Sequence, residues 1–444
     1  MPMSSRPLIA LISTDYPPLR TSAAVQLRDL AEEFAKNGYR AVVIVPSATS
    51  DKGWTLEQVN NVEVLRVAAP ETRAPSFFRR AIAEMRLPFA MLRSIRRSPF
   101  ASAKWDLLVW YSPPIFFGPL IAALRRKSKA RTYLVLRDIF PEWAVDLGLM
   151  RRGPVYLFFK VVAAIQYAVA EVIGVQTESN LAYVSRWERP IRRIEVLHNW
   201  LATTPDFGCS IVLKNTAIAG RKIFVYIGNM GLAQGVDIFL DLVESLRHRD
   251  DIGFVFVGRG SEFARFQTER TSRNLTNILF FGEIDPSEIP GLLAQCHVGL
   301  VALHPNHKTH NIPGKFVSYM QYGVPVLARV NAGTDLERLI EDKEVGKVYV
   351  GNSVAELTRL AEQLADDEAL RYSMSLNSRR LGQSMFSPKT AAAQIISSTA
   401  LPCDHSRADQ TRNAISGPAH AEMAFARNGD GTLLSRSFFK PAAN

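Results

Sequence analysis

The sequence has few cysteines and no apolar run long enough to be a convincing membrane-spanning helix. Its three cysteines are far apart in 444 residues, so they predict neither a disulfide framework nor a zinc site, which fits a reducing cytoplasm. The two most apolar stretches, 105–124 and 154–175, are interrupted by prolines and by Lys160, and they read as strand and helix segments of a globular domain. The opening stretch, 7–14, is read as a buried first strand rather than a secretion signal.

Positive charge is in excess and is unevenly placed. The 53 Lys and Arg residues outnumber the 42 Asp and Glu residues, which gives a formal net charge of +11. Residues 79–98 hold six arginines and one glutamate, interleaved with bulky apolar side chains. A basic amphipathic helix of this kind predicts contact with an anionic membrane surface, and a solvated basic face is the alternative. Nucleic acid is not expected as a partner, because no nucleic-acid-binding motif accompanies the charge.

Apolar strand patterns alternate with helical patterns along most of the chain. One series runs from PLIALIST at 7–14 to RIEVLHN at 193–199, and a second begins with KIFVYIG at 222–228. Continuous apolar strands separated by helices predict parallel sheets with helices on both faces. The predicted fold class is therefore α/β, with two doubly wound Rossmann-like domains, residues 1–205 and 206–385, that face a cleft.

Glycine turns follow three consecutive strands of the second domain, at 226–237, 257–262 and 280–284. Such turns let backbone N–H groups approach an anion, and ligands of doubly wound sheets lie beyond the carboxyl ends of strands. Ordinary tight connections are the alternative for any single turn. Gly258 and Gly260 are expected to leave room for a flat base or a ribose. The residues predicted to form this nucleotide edge are Gly228, Asn229, Met230, Gly231, Gln234, Arg259, Gly260 and Glu283.

Lys315 stands in the first turn of a predicted helix, where the macrodipole disfavours a cation. A phosphate placed at the 311–315 turn would meet the helix N-terminus and the ammonium group together. The pattern therefore predicts an anion site formed by Pro313, Gly314 and Lys315, and a lysine that only caps the surface is the alternative. Nearby, His304, His307 and His310 are spaced by threes, but the surrounding polar loop predicts a segment that closes over substrate rather than a metal site.

Polar turns also follow strands of the first domain. Ser22 is predicted to cap a helix at 22–37, and the residues expected on the acceptor or phosphate side of the cleft are Tyr16, Thr21, Ser22 and Ser112. Asp138 and Glu142 follow a later strand, at the edge where catalytic groups are expected. A helix cap or a structural ion pair is the alternative role for Asp138.

Together these stretches resemble family-four retaining glycosyltransferases of the GT-B fold, and they look most like the bacterial branch that builds surface polysaccharides with amino- or deoxy-sugars. The likeness spans roughly residues 7–400. The matching segments are YPP at 16–18, SPP at 112–114, RDIFPEW at 137–143, YIGNMGLAQG at 226–235, VGRG at 257–260 and PGKFVSYMQYGVPVLA at 313–328.

The resemblance implies a hexosyl- or aminosugar-transferase that works with retention. Its donor would be a nucleotide-sugar, expected to be UDP-linked and held mainly by the second domain. The first domain would hold the acceptor, a glycan or a lipid-linked sugar. No metal or other cofactor is expected. The protein is expected in the cytoplasm, on the inner face of the cell membrane, with a helix in 386–400 crossing back to the first domain. The tail, 401–444, is predicted to be disordered.

Three positions depart from the family pattern. The family commonly carries two glutamates eight positions apart, and here His310 and Ser318 stand in their places. Gln234 occupies the position of a phosphate-binding lysine. The resemblance then implies that Asn229, backbone N–H groups and Lys315 hold the pyrophosphate. His310 would contact the donor sugar, and the Ser318 hydroxyl has fewer hydrogen bonds to offer a ribose than a carboxylate has.

Two other functions stay open beside the transferase. A non-catalytic subunit of a membrane polysaccharide assembly is suggested by the missing glutamate at Ser318. A nucleotide-sugar 2-epimerase would use the same two-domain frame. Asp138 has two candidate roles in the transferase: it orients the acceptor, or it stabilises oxocarbenium charge at the anomeric carbon.

Overall fold

A computed structural model describes residues 6–47, 53–71, 77–146, 148–231, 234–304 and 311–401. These residues form two sheets, one of eight strands and one of six, both in a single compact unit. Every strand pair is parallel except that of the outermost strand of the first sheet. The predicted α/β class is confirmed. No helix in the described part of the chain is long and apolar enough to cross a membrane.

The first sheet has the strand order β3-β4-β2-β1-β5-β6-β7-β8. Its strands are β1 (Leu8–Ile12), β2 (Arg40–Ser47), β3 (Trp54–Val59), β4 (Val62–Ala68), β5 (Leu107–Ser112), β6 (Arg131–Leu136), β7 (Val172–Val175) and β8 (Arg193–Val196). Its helices are α1 (Ser22–Lys36), α2 (Phe77–Ile95), α3 (Gly118–Ser128), α4 (Glu142–Asp146), α5 (Pro154–Val169) and α6 (Glu178–Val184).

The second sheet has the order β11-β10-β9-β12-β13-β14. Its strands are β9 (Lys222–Asn229), β10 (Ile252–Arg259), β11 (Ile278–Phe281), β12 (Val298–Ala302), β13 (Val326–Val330) and β14 (Gly346–Val350). The helices that follow β9 are α7 (Asp237–Ser245), α8 (Phe263–Ser272), α9 (Ile289–Leu293), α10 (Gly314–Tyr322), α11 (Asp335–Asp342), α12 (Val354–Asp366), α13 (Glu368–Met385) and α14 (Pro388–Thr399).

Apolar side chains fill both faces of each sheet. On one face of the first sheet, α1 packs together with α14, whose Ala391, Ala392, Ile395 and Ile396 are buried against it. On the other face lie α2, α3 and α5. Helix α14 thus follows the second sheet in the chain and packs on the first.

Two local features differ from the expectations. The N-cap of α1 is Thr21, whose side chain accepts from the N–H of Ala24 at 3.2 Å, so Ser22 is the first helical residue rather than the cap. Strand β3, which sequence reasoning missed, pairs antiparallel with β4. Asn60 and Asn61 join these strands with positive φ angles, and consecutive asparagines in a two-residue turn are a recognisable hairpin signal.

Candidate active site

The N-terminus of α10 lies at the centre of the candidate site. Pro313 is its N-cap and makes no side-chain capping bond, so the first N–H groups of the helix stay available to a ligand. The helix is held in place by Phe316, Tyr319 and Met320, which are buried in the apolar core of the second sheet. Free N–H groups at the N-terminus of a fixed helix form a favourable binding site for an anion.

Lys315 is half-buried, and its amino group is enclosed beside β9. The amino group donates to the hydroxyl of Tyr226 and lies 3.5 Å from Oε1 of Gln234 and 3.8 Å from the centroid of the Tyr226 ring. Burial lowers the pKa of Lys315 to about 7. No ion pair joins it to a carboxylate within the described ranges. A buried cation without a counter-charge is costly, and a bound anion would supply the missing charge.

Tyr226 was not predicted as a site residue. Its hydroxyl accepts from Lys315 and donates to the backbone carbonyl of Asn229 at 2.8 Å, so it ties the lysine to the turn after β9. Burial raises its pKa, which keeps the phenol neutral. The available signal was a tyrosine two residues before a glycine turn, in a strand that is otherwise apolar.

The predicted turn residues of β9 surround this pair. Gly228 faces the lysine, because a Cβ placed on it would lie 3.9 Å from Cε of Lys315. Asn229 is exposed, and Met230 is fully buried and donates its N–H to the Arg259 carbonyl at 2.7 Å. A Cβ on Gly231 would meet Nδ2 of Asn229 at 3.1 Å, so Asn229 folds back over this turn.

The first sheet brings a second helix N-terminus to the same place. A Cβ on Gly314 would lie 3.8 Å from Oγ of exposed Ser22, so the first turns of α1 and α10 face each other. The Thr21 hydroxyl is already engaged, because it caps α1 and donates to Oδ2 of Asp15 at 2.8 Å. Of the residues predicted in the first-domain turn, Ser22 is therefore the one placed beside the α10 turn.

Two amides from the first sheet hold the backbone just before α10. Gln176 follows β7 and Asn199 follows β8, and their side-chain amides donate to the carbonyl of Ile312 at 3.0 and 3.1 Å. Both side chains are buried. Sequence reasoning missed this pair, since nothing in the order of residues shows that the ends of β7 and β8 meet the 311–315 turn.

Asp138 follows β6 as predicted and is half-buried. Burial raises the pKa of its carboxyl, and the neighbouring Arg137 guanidinium acts in the opposite direction. Arg137 is itself buried, donates to the carbonyls of Leu197 and His198, and lies 4.9 Å from the Trp200 ring centroid. Glu142, in contrast, lies in the first turn of α4 and forms an ion pair with Lys160 of α5.

Tyr16 and Ser112 occupy the interior rather than an accessible surface. Tyr16 packs in the core beside α1, and burial raises its pKa to about 12. Ser112 has no exposed surface, and its hydroxyl accepts from the amide of Gln166 at 3.1 Å. The expectation that they line the acceptor side does not fit these positions, because Ser112 is the buried last residue of β5 and Tyr16 packs among the apolar side chains beside α1.

Gly258 and Gly260 serve a different purpose from the one expected. A Cβ on Gly258 would lie 2.0 Å from the Gly228 carbonyl oxygen, and one on Gly260 would lie 2.4 Å from that of Met230. The space above them is therefore taken by the neighbouring turn rather than left for a base. Arg259 and Glu283, at the ends of β10 and β11, form an exposed ion pair of 3.3 Å beside these turns.

Ser318 lies one turn into α10, and its hydroxyl donates to the Gly314 carbonyl at 3.2 Å, so it is engaged within its own helix. His310 lies outside the described residues. Across the described ranges, no group of three or more histidine, cysteine, aspartate or glutamate side chains is arranged to hold a metal ion.

Two family models match the chain, one on each half. The model described as "Glycosyl transferase 4-like domain" matches residues 21–200, and the one described as "Glycosyl transferases group 1" matches residues 213–381. Together they span most of the sequence. The chain belongs to the group 1 glycosyltransferases. The two matched ranges hold the strands of the first and the second sheet, apart from β1.

Individual relatives agree with the family. The probable glycosyltransferase WbjE of Pseudomonas aeruginosa is 22% identical over 266 residues, which are 59% of this chain and 66% of that protein. The putative colanic acid biosynthesis glycosyl transferase WcaI of Escherichia coli (strain K12) is 26% identical over 258 residues, 54% of this chain and 62% of that protein. The chain thus matches slightly less than two-thirds of the length of these two curated relatives.

A solved structure shows the same fold. Alr3699/HepE of Anabaena, in complex with UDP-glucose, superposes with a TM-score of 0.62 at 15% identity, covering 88% of this chain and 99% of that one. The GT-B fold expected from the sequence is confirmed by this likeness and by the two parallel sheets.

Proposed function

We propose that this group 1 glycosyltransferase moves a sugar from a UDP-linked donor to a glycan or lipid-linked acceptor, with retention, in bacterial surface polysaccharide synthesis. The observation that carries the proposal is the enclosed amino group of Lys315, without a carboxylate partner in the described structure, beside the uncapped N-terminus of α10. The pyrophosphate of a nucleotide-sugar has the charge and size for this place. HepE, a protein of the same fold, binds UDP-glucose, and WcaI is ascribed to colanic acid biosynthesis.

The chemistry requires charge stabilisation on the leaving group. The bond between the anomeric carbon and the phosphate oxygen breaks, and negative charge develops on the nucleoside diphosphate. Protonated Lys315 and the first N–H groups of α10 would stabilise that charge in an enclosed site, where such interactions act most strongly. The acceptor oxygen bonds to the anomeric carbon on the same face, and its proton passes to the departing phosphate, so the configuration is retained.

Lys315 is suited to this role because its charge depends on its ligand. With a pKa of about 7, the free amino group is partly deprotonated near neutral pH. A bound pyrophosphate favours the charged form and raises that pKa. Tyr226 holds the amino group in place and offers its neutral hydroxyl as a hydrogen-bond partner in either state.

Asp138 is proposed to act on the acceptor side. It follows β6 at the carboxyl edge of the first sheet, where ligands of doubly wound sheets bind. Its carboxylate would orient the acceptor hydroxyl or stabilise positive charge at the anomeric carbon. Glu142 is assigned no chemical step, because its carboxylate is paired with Lys160.

A non-catalytic assembly subunit is the second candidate. It is favoured by Ser318, which stands where the family has a glutamate and whose hydroxyl is bonded to Gly314. The two candidates differ in whether the protein transfers the sugar of a bound donor to an acceptor.

Nucleotide binding tests the proposal first. Calorimetry with UDP, GDP and ADP is done on the unmodified protein, on Lys315→Ala and on Lys389→Ala, which removes an exposed lysine of α14. We expect UDP to bind, Lys315→Ala to weaken binding by at least about tenfold, and Lys389→Ala to behave like the unmodified protein. Equal binding by both variants would contradict the assigned phosphate site.

Turnover separates the two candidate functions. Nucleoside diphosphate release from UDP-sugars is followed with and without glycan acceptors, and NMR of the product gives the anomeric configuration. Acceptor-dependent release with a retained product supports the transferase. UDP binding without turnover of any donor would favour the assembly subunit.

A further inference from the structure

Helix α5 carries an unusual outer surface. Its sequence, PVYLFFKVVAAIQYAV, has one charged residue in 16. Ala163, Gln166 and Tyr167 face the core. On the opposite side, Leu157 is 63% exposed and Val161 is 54% exposed, and Phe158 and Ile165 are also exposed. Because helical neighbours are three or four residues apart, these four side chains form one continuous apolar stripe.

The stripe is bordered by positive charge. Arg151 and Arg152, both exposed, stand directly before α5, and Leu149 beside them is 73% exposed. Helix α3 packs on α5 through its first residue, Gly118, and ends with the basic run Arg125, Arg126 and Lys127, of which Arg125 is paired with Glu171. Exposed arginines of α2 lie on the same face of the first sheet.

Helix α2 supplies a smaller apolar part of such a surface than α5 does. Segment 79–98 was expected to lie on the membrane as a basic amphipathic helix. Leu87, Met91 and Ile95 of α2 are buried in the core and its arginines are exposed, while Phe89 is 63% exposed and Met85 is 37% exposed. Helix α2 thus offers two exposed apolar side chains to this face, and α5 adds the four of its stripe.

We propose that the α5 stripe (Leu157, Phe158, Val161 and Ile165) inserts into the surface of an anionic lipid bilayer, with Arg151 and Arg152 on the headgroup phosphates. This inference rests on the proposed function, since it gives the means of reaching a lipid-linked acceptor. Exposed bulky apolar side chains bordered by arginines are complementary to a bilayer interface, where the apolar side chains enter the acyl region and the cations meet the phosphates.

The position of α5 suits this role. In a parallel sheet, the helix after a strand begins at the carboxyl edge, which is also the edge where ligands bind. Helix α5 follows β6 and the segment that contains Asp138, so its N-terminal turn lies at the edge assigned to the acceptor. A bilayer that touches this turn brings membrane-held acceptors to the cleft without removing them from the lipid.

A second copy of the chain fits the surface less well. Two copies that met through α5 would bring the same arginines together, and like charges at an interface are unfavourable. An anionic bilayer offers its acyl region to the apolar stripe and its headgroup phosphates to the arginines at the same time.

Vesicle flotation tests the proposal. The full chain is mixed with vesicles of phosphatidylglycerol and phosphatidylethanolamine, or with neutral phosphatidylcholine vesicles. We expect binding to the anionic vesicles, reduced at least about tenfold in Leu157→Ser/Val161→Ser, because two apolar side chains no longer enter the lipid. Arg151→Ala/Arg152→Ala is expected to lose the preference for anionic vesicles.

The matched control is Ile191→Ser/Phe207→Ser, which removes two apolar side chains that are 81% and 78% exposed outside α5. Equal loss in this control, unchanged binding by the α5 variant, or no vesicle binding by the unmodified protein would overturn the proposal. A dimer in light scattering that the α5 variant converts to monomer would do so as well, in favour of a second copy. UDP binding by each variant is measured in parallel, so that failure of the nucleotide site and failure of the membrane surface are told apart.

Discussion

The side-chain amide of Gln176 donates a 3.0 Å hydrogen bond to the backbone carbonyl of Ile312. The donor belongs to the end of β7 in the first sheet, and the acceptor stands two residues before α10 in the second. With the parallel bond from Asn199, this contact means that the first sheet positions the turn that is proposed to bind phosphate. The proposed nucleotide site is therefore held by both halves of the chain.

Replacing Gln176 should show that dependence. In Gln176→Ala we expect nucleotide affinity to fall by about fivefold to tenfold, since one of two buried bonds to Ile312 is lost. Gln295→Ala is the matched control, because Gln295 also donates to backbone carbonyls, those of Ile211 and Gly291, within the second half. Both variants should lose about 1–3 kcal/mol of unfolding free energy, but only Gln176→Ala should lose affinity. Equal affinities in calorimetry would show that the Ile312 contact is structural only.

Lys315 predicts that nucleotide binding takes up a proton. With a folded-state pKa of about 7, the free amino group is mostly deprotonated at pH 8. If the pyrophosphate restores an ordinary lysine pKa, about 0.9 proton is bound per site. Calorimetry at pH 8 in buffers of different ionisation enthalpy measures this uptake. Lys315→Arg, which stays charged throughout, should bind UDP without it, and an equal uptake in both proteins would refute the assignment.

The same lysine affects stability. Its pKa is lower in the folded protein than in the unfolded chain, so between about pH 7 and the ordinary lysine pKa the unfolded chain holds more protons. The free energy of unfolding of the nucleotide-free protein should therefore rise across that window. Chemical denaturation at several pH values should show a flatter profile for Lys315→Met, whose side chain does not titrate. A profile equally steep in that variant would assign the effect to other groups.

Asp138→Asn is expected to separate activity from stability. Burial raises the pKa of this carboxyl in the folded state, so stability falls as pH rises through the window between its unfolded and folded pKa values. Asparagine carries no charge that must be buried, so the variant should be at least as stable as the unmodified protein at pH 7. Its kcat should nevertheless fall by about a hundredfold or more if the carboxylate acts in the reaction. Unchanged kcat would assign Asp138 a structural role.

The glycines of the second sheet should differ sharply in tolerance. Gly258→Ala puts a methyl group 2.0 Å from the Gly228 carbonyl oxygen, at a φ of +150°, so we expect a loss of about 3 kcal/mol or more, or failure to fold. Gly282→Ala has nothing within 4 Å of the added Cβ and should lose less than about 1 kcal/mol. Thermal unfolding of the two variants checks this, and similar midpoints would contradict the close packing of the two turns.

Much of the fold was predictable because its signals are local. Apolar runs such as β1 and β5, helix ends such as Gly38 after α1, and glycine turns after β9 and β10 all follow from neighbouring residues. Lys315 was identified in the same way, as a cation in the first turn of a helix. The glycine pattern also led to the correct strand ends, although the reason given for Gly258 and Gly260 was different from the one the structure shows.

The rest depends on contacts between distant parts of the chain. Whether Ser112 faces a cleft or the underside of α5 is decided by Gln166, 54 residues further on. Gln176 and Asn199 gain their roles only when β7 and β8 approach Ile312. Likewise, the arginines of α2 are visible in the sequence, but the burial of Leu87 and Met91 is not, because it depends on how α2 packs on the sheet.

The chain passes between the two sheets twice, and the two passages are fastened side by side. Leu201 donates its N–H to the Phe386 carbonyl at 3.0 Å, and the amide of Gln321 donates to both Leu201 and Phe386 carbonyls. One side chain from α10 therefore binds both connecting segments and holds them next to each other. Because Gln321 belongs to α10 and bonds to both passages, a change at Gln321 is expected to alter how the two sheets are held together without touching Ser22 or Lys315.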